Sequence, residues 1–508
     1  MTHDVGLRIA RNSLANIVRA VIVIPVFLLI TPYIIRHVGA EQYGLWALVG
    51  VITSYAQLSD FGINESLIKH YAEFRSRDVR KMNQLINTAA VSYLVLGVLC
   101  TGVFLLLMPL LVVEVFQVPE HLQPLAQQLF LLAVILFCVN MVAGVFGALQ
   151  AGFEQMHYTS AVAVLSTIAS AAGAVAALSA GYGILGMMYI NAAVALYVSI
   201  VNIAIARKLF PQLEFNPFRH FDGSTLRQIF GFSWKVQISM VTQLMIFQMD
   251  SIFLSHFVGL KAVGFYEVAN RLASQIRNFI IVLFGPVSPA SSSLQADGRT
   301  TLVSGLYRRS FKFMTLASVP VFLTVMALAH PILKTWMGDG YDISAYTLQI
   351  LMAAYLINVL TGPGAFILSG INLPQVGMRT SIAAGLLNLA LCILLVPSVG
   401  YFGVAVSVFV SLGTTALYFL RMVNQRLAGA DLPFYRQTLR KPFSLAGMAA
   451  VAILLTDSFV PLSGYGRLFL AGSCALGMIY GVLLQDGYLD DYERSLLRSL
   501  LPLRKQGR

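Results

Sequence analysis

Residues 82–113 read MNQLINTAAVSYLVLGVLCTGVFLLLMPLLVV, 32 positions without one Asp, Glu, Lys or Arg. A helix rises about 1.5 Å per residue, so about 20 apolar residues cross a hydrocarbon core of about 30 Å. This run is long enough to do so with residues to spare. Similar uncharged windows lie at 122–153, 158–180, 184–206, 313–333 and 343–378. A further window, 380–420, is too long for one span, and the turn signal at 397–403 divides it in two. Residues 442–460 and 468–485 supply two more, and shorter or charge-marked runs fall at 12–35, 43–63, 225–257 and 262–290. The expectation is an all-α integral membrane protein of fourteen spans.

Composition agrees. Of 508 residues, 57% are hydrophobic and 11% are charged, where a soluble domain carries about 25% charged residues. Too few charges exist to cover a water-facing surface, so lipid must cover it. No polar stretch is long enough for a soluble domain. The four cysteines, Cys100, Cys138, Cys392 and Cys474, stand singly in apolar runs. That spacing offers neither a disulfide framework nor a zinc site, and no cofactor or metal is expected. The basic and apolar N-terminus lacks a small-residue cleavage site and carries Pro25 and Pro32, so it reads as a retained first span.

The positive-inside rule orients the spans. If alternate connections are placed on opposite sides, the side with both termini holds 26 Lys and Arg and the other holds 4, namely Arg36, Lys261, Lys334 and Arg467. One missed or invented span would destroy this split. Both termini are therefore expected in the cytoplasm. The net charge of +12 is mostly this topological signal and calls for no nucleic-acid partner.

The two halves also resemble each other. Val38-Gly39 and Gly44-Leu45-Trp46 match Val258-Gly259 and Gly264-Phe265-Tyr266 at an offset of 220. Gly152 matches Gly370 at 218, and the Gly183/Gly186 pair matches Gly400/Gly403 at 217. Each match falls at the equivalent turn of the span map. A six-span repeat has an even number of crossings, so both copies enter the membrane the same way. This predicts two parallel-related six-helix lobes around a central cavity, plus two extra C-terminal helices. The expected divisions are 1–210, 211–430 and 431–508. Transporters built from such repeats bind cargo between them.

A charge at mid-bilayer costs about 2.5–3.5 kcal/mol on insertion scales, so it usually faces a cavity or a partner. The charges inside proposed spans are Arg19, Asp60, Lys235, Asp250, Glu267, Arg271 and Arg277. They fall on spans one, two, seven and eight, two helix pairs that the repeat relates to each other. This points to a polar cleft lined by those four helices. Arg19, Lys235, Arg271 and Arg277 are candidate substrate-binding cations, able to hold a phosphate-rich group through bidentate Arg bonds and a Lys point charge. Asp60, Asp250 and Glu267 are candidate coupling-ion or charge-pair residues. Blander readings stand beside these. Glu267 and Arg271 are spaced to neutralise one another, Arg277 could snorkel to the interface, and Asp60 could be an ordinary interfacial residue near Lys69 and His70. Pro25, Pro32 and Gly362-Pro363-Gly364 suit either a bending gate or a static kink. The tail, 490–508, spaces leucines among arginines as in an interfacial helix.

Gly39-Ala40-Glu41-Gln42-Tyr43-Gly44, Leu58-Ser59-Asp60-Phe61-Gly62-Ile63 with Lys69 downstream, and Asp250 leading into Val258-Gly259 and Gly264-Phe265-Tyr266 resemble bacterial polysaccharide flippases. These are the O-antigen or Wzx-type members of the multidrug/oligosaccharidyl-lipid/polysaccharide exporter superfamily. The resemblance covers residues 8–430. It implies alternating access around a central cavity in the bacterial inner membrane. It implies a lipid-linked oligosaccharide on undecaprenyl diphosphate as cargo, moved from the inner to the outer leaflet. Membrane lipids, a coupling cation (H+ or Na+) and other polysaccharide assembly proteins are the implied partners. Many such flippases have twelve spans, and the extra pair here resembles the lipid II flippase arrangement. Three alternatives remain open: a multidrug/cation antiporter of the same fold, a polysaccharide polymerase or glycosyltransferase, and an uncoupled lipid scramblase. The far-side connections are short and carry no paired-carboxylate, Ser-His-Asp or His-x-x-x-His cluster, which speaks against an enzyme.

Overall fold

A computed structural model describes residues 2–74, 78–229, 248–296, 300–371, 373–427, 431–459, 461–462, 464–485 and 488, with the side chains of 2–21, 24, 296, 300, 301 and 483–485 outside that description. All regular structure in these residues is helical. The chain is an all-α, multi-pass membrane protein. In hydrocarbon no water is available to bond an exposed peptide group, so a spanning segment must close its hydrogen bonds within itself.

Nine described helices are long and apolar enough to cross a membrane. They coincide with spans three to six and nine to thirteen of the sequence reading. Val79–Val115, Glu120–Gly152, Met156–Ser179 and Gly183–Leu209 come first. Leu302–Ala327, Asp342–Gly370, Pro374–Val399, Tyr401–Arg426 and Leu432–Phe459 follow. The division expected within 380–420 falls at Gly400, whose φ of +72° only glycine adopts without strain.

Spans one and two are two helices within α1 (Thr2–Ala56), which meet at the non-helical Gly39 (φ 80°, ψ 168°). Pro25 and Pro32 lie within α1, and Pro363 within Asp342–Gly370, without ending either helix. Below α1 the chain makes a 3₁₀ turn, Gln57–Asp60, then passes through Phe61 and Gly62 at positive φ into α2 (Ile63–Phe74). Span eight is broken in the same way. Leu260–Leu283 gives way at Phe284–Pro286 to Val287–Ala296. Lys235 and the tail 490–508 lie outside the described residues.

The chain forms two compact units. One comprises residues 1–268 and 385–407, the other 269–384 and 408–508. In the first, Ile63, Leu67 and Tyr71 of α2 pack with Leu85, Ile86 and Tyr93 of span three and Met141, Val145 and Leu149 of span four. The connection after span six is pinned to this core. Asn83 donates to the Gln212 carbonyl (2.9 Å) and accepts from the Glu214 amide (2.9 Å), while Asn87 donates to the Glu214 carbonyl (2.8 Å). Asp222 caps the next turn. Its carboxylate accepts from the hydroxyls of Ser224 and Thr225 and from the Thr225 amide, which hold it well below the usual carboxylate range. Such a group stabilises the folded state above the unfolded pKa and loses that contribution as pH falls through its depressed folded value.

In the second unit, Tyr307 and Phe311 of span nine pack against Ile367, Leu368, Phe419, Val423, Phe434 and Tyr435. Tyr307 and Tyr435 share a hydroxyl hydrogen bond of 2.8 Å. A second cluster joins Ala327 and Leu328 to Ile453, Leu462 and Ala475. The last two long helices, Leu432–Phe459 and Tyr465–Gln485, are thereby packed on the span-nine helix.

The sequence repeat is visible in the packing. Gly152 closes span four against α2, where a Cβ would stand 2.7 Å from the Tyr71 Cβ and 3.2 Å from the Ile68 oxygen. Gly370 closes span ten against the Val287–Ala296 helix, where a Cβ would overlap the Ser291 hydroxyl and the Ser288 carbonyl oxygen. Ser288 and Ser291 stand 220 residues after Ile68 and Tyr71. Filling such a contact costs about 1–3 kcal/mol. Gly152→Leu and Gly370→Leu are each expected to lower the thermal unfolding midpoint of the purified protein. Gly377→Ala, where a Cβ meets nothing within 4 Å, leaves it unchanged or slightly raised; equal midpoints for all three would refute the packing role.

Candidate functional site

Among the described candidate charges Asp250 is the most buried, 2% exposed in the first turn of Met249–Phe257. That position places a carboxylate at the positive end of the helix dipole. Two neutral groups reach it. The Tyr266 hydroxyl, from Leu260–Leu283, donates to Oδ2, and the Asn388 amide, from Pro374–Val399, donates to Oδ1 at 3.5 Å. Asn388 is fully buried, and its own oxygen accepts from Cys392, one turn further on, at 3.9 Å. Beside this cluster the Ser251 hydroxyl donates to Glu267 at 2.8 Å. Two of the expected acidic residues thus sit on adjoining positions of one polar cluster, built from spans seven, eight and eleven.

Asp60 is bonded elsewhere. It ends the 3₁₀ turn Gln57–Asp60 and accepts from the Tyr93 hydroxyl of span three, while Ser59 accepts from Cys100 at 2.8 Å. Its break in the helix is what brings the carboxylate to Tyr93.

Among the candidate cations, Arg271 and Arg277 lie on Leu260–Leu283 and are half-buried. Arg277 does not simply extend along the surface. Its Nε donates to Asn358 of span ten at 2.8 Å, Nη1 donates to Asn278 at 3.2 Å, and the guanidinium lies 5.6 Å from the centre of the Tyr355 ring. Tyr355 in turn donates to Asn270 at 2.7 Å. A guanidinium over an aromatic face gains about 0.5–2 kcal/mol, so this arrangement fixes the charge within the second unit. Arg19 lies on α1 with its side chain outside the description, and Lys235 lies outside the described residues.

Sequence reading missed Tyr266 and Asn388 as partners of Asp250, and Tyr93, Tyr355 and Asn358 as partners of Asp60 and Arg277. Asn388 had a signal, an amide alone in the uncharged window 380–420. The tyrosines had none, because a tyrosine in an apolar run looks like any other large side chain. A polar cavity of about 380 Å³ in the first unit was also unforeseen. Asn64, Thr159, Ser166, Gln150 and Asn202 line it, and the fully buried Gln150 amide bridges Asn202 (2.8 Å) and Thr159 (2.9 Å). It presents only neutral donors and acceptors, suited to water or hydroxyl groups. Among the described residues no group of three His, Cys, Asp or Glu could hold a metal ion.

The family model described as polysaccharide biosynthesis protein matches residues 9–295, more than half the chain. The chain belongs to this family. A second model, MatE, matches residues 236–394, a stretch containing both Asp250 and Asn388. The polysaccharide biosynthesis chain is 20% identical to the uncharacterized membrane protein EpsK of Bacillus subtilis, over 91% of this chain and 92% of that one. It is 22% identical to a protein provisionally assigned as an O-antigen transporter of Shigella flexneri, over 70% of this chain and 83% of that one. Two solved folds resemble it at 14% identity. One is the lipid II flippase MurJ in an inward closed conformation, with a TM-score of 0.74 over 94% of this chain and 99% of that one. The other is an inward-facing multidrug resistance MATE family transporter of the MOP superfamily, with a TM-score of 0.66 over 82% and 98%. The chain shares the all-helical fold of these two structures.

Removing a donor from a buried charged acceptor costs about 1–3 kcal/mol or more. Tyr266→Phe is therefore expected to lower the thermal midpoint in detergent, with Asn388→Ala adding to the loss. An unchanged midpoint in Tyr266→Phe would show that the bond to Asp250 contributes nothing to stability.

Proposed function

We propose that this family member is a flippase for a saccharide linked to undecaprenyl diphosphate, moving it from the inner to the outer leaflet of the bacterial inner membrane by alternating access. The observation that supports this reading is the buried polar cluster at Asp250, in a chain of the family described as polysaccharide biosynthesis protein. A buried carboxylate is retained in a membrane only at a cost that function must offset. The short far-side connections leave no room for a catalytic domain, which supports a transporter rather than a polymerase or glycosyltransferase.

In this reading two six-helix lobes, 1–210 and 211–430, surround a central cavity, with 431–508 as an appendage, fourteen spans in all and both termini in the cytoplasm. Arg19, Lys235 and Arg271 hold the diphosphate, Arg277 extends the positive field, and the lipid tails stay in the bilayer. Asp250, in the same polar cluster as Glu267, takes a proton or Na+ whose entry couples to the lobes' movement. Asp60 fixes the break below span two. A multidrug/cation antiporter is the second reading, favoured by the MatE match over the Asp250–Asn388 region.

A deletion strain is expected to lose surface polysaccharide and to accumulate lipid-linked repeat units on the inner leaflet. Unchanged polysaccharide with raised dye sensitivity would instead establish the antiporter. Charge-assisted hydrogen bonds contribute about 1.5–3 kcal/mol each. Arg19→Ala, Lys235→Ala and Arg271→Ala should each reduce export about ten- to a hundredfold with normal membrane insertion; full export in all three removes the cation site. In proteoliposomes, Asp250→Asn should abolish stimulation of flipping by a pH or Na+ gradient, and retained stimulation would exclude Asp250 as the coupling group.

A further inference from the structure

Spans two and eight begin at glycines in the left-handed region, Gly39 (φ +80°) and Gly259 (φ +112°), within the first compact unit. One turn on, the two helices meet through backbone. A Cβ on Gly44 would overlap the carbonyl oxygen of Leu260 and stand 3.2 Å from the Gly264 nitrogen. A Cβ on Gly264 would overlap the carbonyl oxygen of Ala40 and stand 3.5 Å from the Ala40 Cα. Adding the repeat offset of 220 to Ala40 and Gly44 gives Leu260 and Gly264. The two contacts are therefore images of each other. Residue i of one helix meets j of its counterpart, and i of the counterpart meets j, which is the mark of a two-fold interface.

A second set of contacts involves the end of span seven, which leads into the turn at Gly259. At the far end of span seven, the Ser255 hydroxyl donates to the Phe116 carbonyl. The His256 Nδ1 lies 3.0 Å from the Glu114 carbonyl and 3.1 Å from that of Val115. Phe116, Glu114 and Val115 follow the end of span three, on the side away from the termini in the span map. Leu48 and Val268, four residues beyond Gly44 and Gly264 and so on the same helix faces, are fully buried.

We propose that the Gly44–Gly264 crossing is the outer gate of the translocation path, closed in this structure and latched by Ser255 and His256. The inference rests on the flippase reading above. Glycine is required because the seal is formed by main chain on main chain. Contacts of this kind are individually weak, so the two turns separate and close again without repacking large side chains. A single methyl group at either glycine stops the turns from meeting and shifts the population toward the outward-open state.

The test uses the full-length chain in spheroplasts, with the four native cysteines replaced and Leu48→Cys or Val268→Cys as reporter. A membrane-impermeant maleimide is added from outside. With both glycines intact the reporter is expected to label slowly. With Gly44→Ala, and equally with Gly264→Ala, the labelling rate should rise about tenfold. Two properly inserted alanine variants that label like the parent would overturn the gate. So would failure of both to insert, which would make the glycines packing residues only. Because labelling needs no cargo, the two readings separate. Faster labelling with undiminished polysaccharide export keeps the gate and removes the flippase reading, whereas lost export with unchanged labelling removes the gate alone.

Discussion

Everything in this molecule answers to the absence of water inside the bilayer. A peptide group there must bond within its own helix, and many hydroxyls do the same. Thr31 donates to Phe27, Thr53 to Val49, Ser92 to Thr88, Thr315 to Phe311, Ser318 to Met314 and Ser407 to Gly403, each returning to the carbonyl one turn back. Once these groups are satisfied locally, helices are free to associate through shape. Lipid removes the hydrophobic drive between them, so close approach of backbones takes its place. Gly152 on α2 and Gly370 on the Val287–Ala296 helix are the result.

The same constraint explains why charged groups are so few and so elaborately held. Asp250 is met by Tyr266 and Asn388, Asp60 by Tyr93, and Arg277 by Asn358, Asn278 and the Tyr355 ring. Neutral partners moderate the cost of a buried charge without cancelling the charge itself. A carboxylate neutralised by arginine would have little appetite for an incoming cation. One held by a phenol and an amide keeps it.

Much of the fold was legible because hydropathy is a sum over many residues. The windows at 82–113, 122–153 and 184–206 match helices to within a few positions, and the division of 380–420 falls at Gly400. The repeat was legible because glycine at a close contact admits no substitute, so its spacing survives when little else does. The breaks at 57–62 and 284–286 were not, since Gly62 and Gly285-Pro286 look like the many other small residues of membrane helices. The candidate site was half legible for a related reason. A charge in an apolar run announces itself, as Asp250 did, but its partners Tyr266 and Asn388 come from distant parts of the chain and are ordinary residues one by one.

The connection after span six has a mechanical consequence. Asn83 grips it at Gln212 and Glu214 from both its donor and its acceptor, Asn87 holds Glu214, Thr88 receives the Asp222 amide, and Ser66 reaches the Ile229 carbonyl. What joins the two repeats in sequence is therefore riveted to the first of them. It is a bracket rather than a tether, held at 212, 214, 222 and 229. A pull at Ile229 is felt at the end of span three that carries Asn83 and Asn87 and at Ser66 of α2.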